Sequence, residues 1–96
     1  MNVNCCTFIV RVVSEPELNN EGDVVRFKGT VRTGDRGKDG VWSEQDYVAY
    51  FYATGNKIKA VSSLSVGKEV AVNAIYKSME RDGVIEGWFE LTFISF

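Results

Sequence analysis

Period-two alternation is the dominant pattern of the chain. In Val24-Val25-Arg26-Phe27-Lys28-Gly29-Thr30-Val31-Arg32, residues Val25, Phe27, Gly29 and Val31 fall on one side and Arg26, Lys28, Thr30 and Arg32 on the other, because successive strand side chains point to opposite faces. The pattern predicts a half-buried strand with three cations on its polar face. Ahead of it, Thr7-Phe8-Ile9-Val10-Arg11-Val12-Val13 is β-branched and aromatic apart from Arg11, the composition of a strand. Pro16 closes that strand, and residues 17–23 form a polar connection. Residues 33–45 hold three glycines and both charge signs, which predicts a long mobile hairpin tip. Asp46 then opens a strand that is aromatic on both faces, with Tyr47, Ala49 and Phe51 on one and Val48, Tyr50 and Tyr52 on the other.

After Gly55 the period changes. Ile58, Val61 and Leu64 recur every three residues, the stripe of one short amphipathic helix ending before Gly67. Residues 69–79 return to alternation, with Val70, Val72 and Ala74 on one face. Glu80-Arg81-Asp82-Gly83 reads as a tight hairpin, because Asp-Gly supplies the positive φ angles of a type I′ turn. Residues 84–96 form the last strand, carrying Trp88, Phe89, Leu91, Phe93 and Phe96. Five strands with one short helix between strands 3 and 4 match the all-β OB-fold, a five-stranded Greek-key barrel.

Composition narrows the chemistry. Ninety-six residues suit a single OB-fold domain over residues 1–96, and 45% hydrophobic with 25% charged residues is ordinary globular composition. The net charge is −2, so the field of the whole molecule does not steer it onto polyanions and any nucleic-acid site is a local patch. Histidine is absent, which removes the commonest general base and the commonest metal ligand. The acids are scattered at turns, and the Gly34–Gly40 stretch lacks the Gly-Lys-Ser or Gly-Lys-Thr ending of a phosphate-binding loop. The reading is a binding protein, not an enzyme, with no cofactor and no metal. Cys5 and Cys6 are adjacent, a poor arrangement for a disulfide, which favours a reducing compartment. No apolar run reaches the roughly 20 residues of a membrane helix, and the residues at Met1 to Asn4 lack a leader pattern. A cytoplasmic protein is expected.

At residues 8–18, Phe-Ile-Val-Arg-Val-Val-Ser-Glu-Pro-Glu-Leu resembles the opening strand and Asp-Pro-Glu-Leu turn of bacterial single-stranded DNA-binding proteins. Residues 24–31 are similar to that family's second strand, 46–51 to its aromatic third strand, and 64–74 to its Leu-x-x-Gly-x-x-Val-x-Val stretch. Departures are specific: Val10 and Ala74 stand where the family has glycine, and the acidic C-terminal tail is missing, so the chain resembles a minimal variant. The resemblance implies coating and protection of single-stranded DNA in replication, recombination or repair, with homo-oligomers, dimer or tetramer, and replication proteins as partners. It also places Tyr47 at a base-stacking position, with the second such position near Ala53.

Single-strand binding needs cations along the phosphates and aromatic faces under the bases. The candidates are Arg11, Arg26, Lys28, Arg32, Trp42, Tyr47, Phe51 and Lys77. Arg26, Lys28 and Arg32 offer phosphate contacts, although a solvated sheet face also carries such charges. Tyr47 and Phe51 offer stacking, although strand aromatics are mostly core or cross-strand pairs. Trp42 in the hairpin either docks in a pocket or stacks on a ligand. Arg11 resembles the family's polar residue beside the groove, and a buried ion pair would explain it equally. Lys77 would prolong the basic track. The same ingredients serve RNA. The alternative is an OB-fold interaction and oligomerisation module similar to the replication-restart protein PriB, with weak or no nucleic-acid binding.

Overall fold

The computed structural model describes residues 4–95. The leader reading at Met1 to Val3 and the assignment of Phe96 to the last strand lie outside the described residues. The elements are β1 (Cys6–Val12), β2 (Glu17–Leu18), β3 (Val24–Arg36), β4 (Trp42–Thr54), α1 (Lys57–Ser62), β5 (Glu69–Arg81) and β6 (Val84–Ser95). Five long strands close into a ring in the order β1-β5-β6-β4-β3, sealed where β3 meets β1 through Arg11↔Thr30 and Val12↔Gly29. The β4–β6 seam is parallel, through Phe51↔Phe89 and Tyr52↔Glu90, and every other pairing is antiparallel. This is the closed barrel of an OB-fold. The short β2 pairs with Arg26 and Val25 at the outer edge of β3. Because of that extra strand, the helix lies between β4 and β5 instead of between strands 3 and 4. No helix among the described residues is long and apolar enough to cross a membrane.

The alternation decides what the barrel contains. Val25 and Phe27 of β3, Val70, Val72 and Ala74 of β5, and Val10 and Val12 of β1 all point inward and are buried. In α1, Val61 is buried and Ile58 packs on the core, while Leu64 just beyond the helix is 4% exposed. The helix sits against β3, β4 and β6. At the centre, Phe51 is stacked on Phe27 at 5.4 Å and on Phe89 at 5.5 Å, with Phe8 edge-on at 6.3 Å.

Two hairpins project from this barrel, giving the molecule extents of 49 × 34 × 28 Å. The β5–β6 hairpin turns as its sequence predicts: Asp82 at φ 53 and Gly83 at φ 79 sit between the paired Arg81 and Val84. The β3–β4 hairpin differs from the expected mobile tip. Its strands stay paired out to Arg36↔Trp42, so the turn shrinks to residues 37–41, closed by the Gly37 N–H donating to the Val41 carbonyl at 3.0 Å. The segment reads as loop because it lies beyond the barrel and has no face to bury, yet its backbone ladder is complete.

Gly29 explains one departure from the family pattern. Val10 fills the space directly over it, and a Cβ on residue 29 would fall far inside contact of Val10 Cγ1, while also lying 3.1 Å from Phe51 and 3.3 Å from Phe27. A side chain on one strand thus takes the volume that a bare backbone leaves on the other. Overpacking of this kind costs about 1 to 3 kcal/mol. Gly29→Ala is expected to lower the melting temperature by at least about 4 °C, and Val10→Ala in the same chain to recover part of the loss. Losses that simply add in the double variant would refute the contact.

Candidate nucleic-acid interface

Antiparallel register places the outward residues of β3 and β4 side by side. Arg26 lies opposite Tyr52 and Lys28 opposite Tyr50, and the parallel seam brings β6 alongside β4. The result is an aromatic row on the outer face of the barrel. Tyr50 and Tyr52 are 6.5 Å apart between ring centroids, and Tyr52 meets Trp88 edge-on at 6.0 Å. Two cations lie against this row: the Arg26 guanidinium is 5.2 Å and Lys28 Nζ 5.6 Å from the Tyr50 ring, inside the range of cation–π attraction. Tyr50 is 38% exposed, and Tyr52 and Trp88 are half-buried, so ring surface remains open to a ligand. At the far side, Lys77 stands opposite Trp88 on β5.

Most of these cations already have acidic neighbours. Arg26 Nη2 lies 3.2 Å from Glu17 Oε2, and the Tyr52 hydroxyl together with Glu17 holds its pKa above the ordinary arginine value. Arg32 Nε donates to Asp46 Oδ1 at 3.0 Å with Glu44 at 3.9 Å. That bond to Asp46 raises the arginine pKa and lowers that of the carboxyl. Arg11 Nη2 is 2.6 Å from Glu69 Oε1, and Lys77 pairs with Glu90. Lys28 makes no ion pair among the described residues. All five pairs are solvent-exposed to some degree, where each contributes little to stability and a phosphate can compete for the cation.

The eight residues singled out from sequence do not converge. Arg26, Lys28 and Lys77 border the aromatic row. Arg11 and Arg32 share a separate groove with Ile9, Thr30, Asp46 and Glu69, and the Arg11 ion pair is exposed instead of buried. Trp42 is 60% exposed, with its indole resting on Gly34 in the β3–β4 arm. Tyr47 is 52% exposed on the opposite face of that arm. Phe51 is a correction: at 0% exposure it is core and has no free face for a base. Tyr47 and Phe51 share a face by parity, but Phe51 lies where β6 and β1 wall the barrel and Tyr47 lies four residues out, beyond that wall.

Tyr50, Tyr52 and Trp88, which form the aromatic row, are not among the eight candidates read from sequence. A signal existed for the two tyrosines, because they lie on the same outer face as Arg26 and Lys28 once β3 and β4 are paired, whereas Trp88 joins them only through the β4–β6 seam. Among the described residues no group of three or more His, Cys, Asp or Glu side chains is arranged to hold a metal ion.

No protein-family model matches the chain, nor does any curated protein sequence. Solved structures do. The small single-stranded DNA-binding protein from Streptomyces coelicolor superposes with a TM-score of 0.72 at 21% identity, over 99% of this chain and 94% of that one. The Plasmodium falciparum SSB in its complex with ssDNA gives 0.73 at 18% identity, over 95% and 86%. Wild-type single-stranded DNA-binding protein from Thermus aquaticus gives 0.70 at 14% identity, over 97% of this chain and 49% of that one. At these identities the likeness is one of architecture: the chain has the OB-fold of these single-stranded DNA-binding proteins.

Proposed function

We propose that this chain is a non-enzymatic protein that binds single-stranded DNA without reading a defined sequence, residues 1–96 acting as one OB-fold domain that shelters strands exposed in replication, recombination or repair. The observation that carries the reading is the row Tyr50–Tyr52–Trp88 with Arg26 and Lys28 against it on one outer face. That pairing of stacking surface with cations is what a single-strand groove needs, and the face belongs to the strands on which OB-folds bind oligonucleotides. Bases would stack on the rings while phosphates displace Glu17 from Arg26 and reach Lys28. Arg32, Arg36 and Trp42 would extend the track along the β3–β4 arm. The fold likeness to a protein seen with ssDNA supports the reading.

Self-association, as dimer or tetramer, belongs to the same proposal and is supported by Ile9 and Phe93, which are 68% and 57% exposed on the outer surface of β1 and β6. Free Cys5 and Cys6 support a reducing, cytoplasmic setting.

Titration with a mixed-sequence single strand tests the function. Tryptophan fluorescence is expected to quench through Trp88, and the affinity to fall with salt at a log–log slope of about −3, the value for the four cations Arg26, Lys28, Arg32 and Arg36 on a single strand. A matched duplex should not compete. Absence of binding at the lowest salt, by fluorescence and by a direct assay, would remove the reading and leave the fold.

A further inference from the structure

Beyond Tyr52 the aromatic row opens into a groove of about 430 Å³ between the end of β4 and the β5–β6 hairpin. Tyr52, Trp88 and Met79 supply its apolar surface, and Glu86, Glu90 and Lys77 its charges. Strand geometry accounts for the set, since Glu86, Trp88 and Glu90 alternate onto one face of β6, with Met79 opposite Glu86 and Lys77 opposite Trp88. Glu90 is engaged by Lys77. Glu86 is exposed and has no ion-pair partner among the described residues. It also borders the neighbouring groove formed with Arg26, Tyr50 and Tyr52, so the two grooves are continuous around Trp88.

We infer that this groove is a base-reading subsite that takes a nucleobase bearing an exocyclic amine, cytosine above all, and disfavours thymine. The inference rests on the single-strand reading and refines it. With Glu90 paired to Lys77 the groove keeps the uncompensated negative charge of Glu86, which repels phosphate, so a strand crossing here turns its phosphates towards Arg26 and Lys28 and its base towards Tyr52, Trp88 and Met79. A carboxylate only accepts hydrogen bonds. Cytosine N4 donates to such an acceptor, a recognised pairing of Glu with that base. Thymine offers one N3–H flanked by two carbonyl oxygens, and the carboxylate repels both.

The test compares oligo-dC with oligo-dT of equal length, at one salt concentration and at neutral to slightly alkaline pH, using anisotropy of labelled strands. Wild-type protein is expected to bind oligo-dC about five-fold more tightly than oligo-dT, the lower end of what one side-chain contact to a base edge discriminates. Glu86→Gln replaces the acceptor with a group that also donates, so oligo-dT binding should tighten and the ratio approach one. Equal or tighter binding of oligo-dT by the wild type, or a preference that survives Glu86→Gln, overturns the subsite and leaves general single-strand binding standing. Binding of neither strand overturns the subsite and the function together.

Discussion

Phe51→Ala is expected to cost about 3 to 5 kcal/mol of stability, the range for removing a large buried aromatic, and to lower the melting temperature by more than about 12 °C. The ring is fully buried and stacks on Phe27 and Phe89 with Phe8 at its edge. Truncation therefore opens a cavity where side chains of β1, β3, β4 and β6 meet. Per folded molecule, single-strand affinity should change by less than about two-fold, because the outward face of β4 keeps Tyr50 and Tyr52. Thermal denaturation with and without oligonucleotide, plus a titration well below the lowered midpoint, separates the two effects. A variant that keeps its melting temperature but loses tenfold in affinity would put Phe51 back at a ligand surface and refute its place in the core.

Phe51 also shows where sequence reading reached its limit. Alternation on β3 was fully legible because one face is apolar and the other charged, and Val25, Phe27 and Gly29 are buried as that pattern requires. Asp82-Gly83 was legible because a two-residue hairpin demands two positive φ angles. The stripe of Ile58, Val61 and Leu64 located the helix. On β4 both faces are aromatic, so polarity alone does not say which one is inside. The hydroxyls carry that information in part, since a phenol keeps its polar end wet and phenylalanine has none: Tyr50 and Tyr52 face out and Phe51 faces in. Tyr47 breaks the rule by position, because the strand runs on past the barrel and both of its faces there meet solvent.

In residues 33–45 the hairpin is legible but the reach of its ladder is not, for a related reason. Three glycines and mixed charges describe a segment without a core, and burial is what hydrophobic patterning detects. Hydrogen bonds from Thr33↔Gln45 to Arg36↔Trp42 hold the arm instead. The partners of the cations were equally hidden. Glu17, Glu69 and Glu90 reach Arg26, Arg11 and Lys77 only through strand pairing between distant parts of the chain, so the basic stripe visible in sequence is in the structure a row of exposed ion pairs, with Lys28 against the tyrosine ring.

Under the proposed function that arrangement shifts the weight of binding from charge to stacking, and the double variant Tyr52→Leu/Trp88→Leu is expected to show it. Leucine keeps apolar volume in these half-buried positions while removing both ring faces. Each stack contributes about 1 to 3 kcal/mol, so the pair should weaken single-strand affinity by at least about 30-fold. The log–log salt slope should stay near that of the wild type, because Arg26, Lys28, Arg32 and Arg36 are untouched. Since the variant removes a reporting tryptophan, the measurement is anisotropy of a labelled oligonucleotide, with the melting temperature confirming a folded protein. Lys28→Gln should do the reverse, with a small loss of affinity and a shallower slope by about 0.7. Tyr47→Leu, on the other face of the arm, should leave both quantities within about two-fold. A loss concentrated in Tyr47→Leu, with Tyr52→Leu/Trp88→Leu silent, would move the interface to the inner side of the β3–β4 arm, where the resemblance to known single-strand binders first placed it.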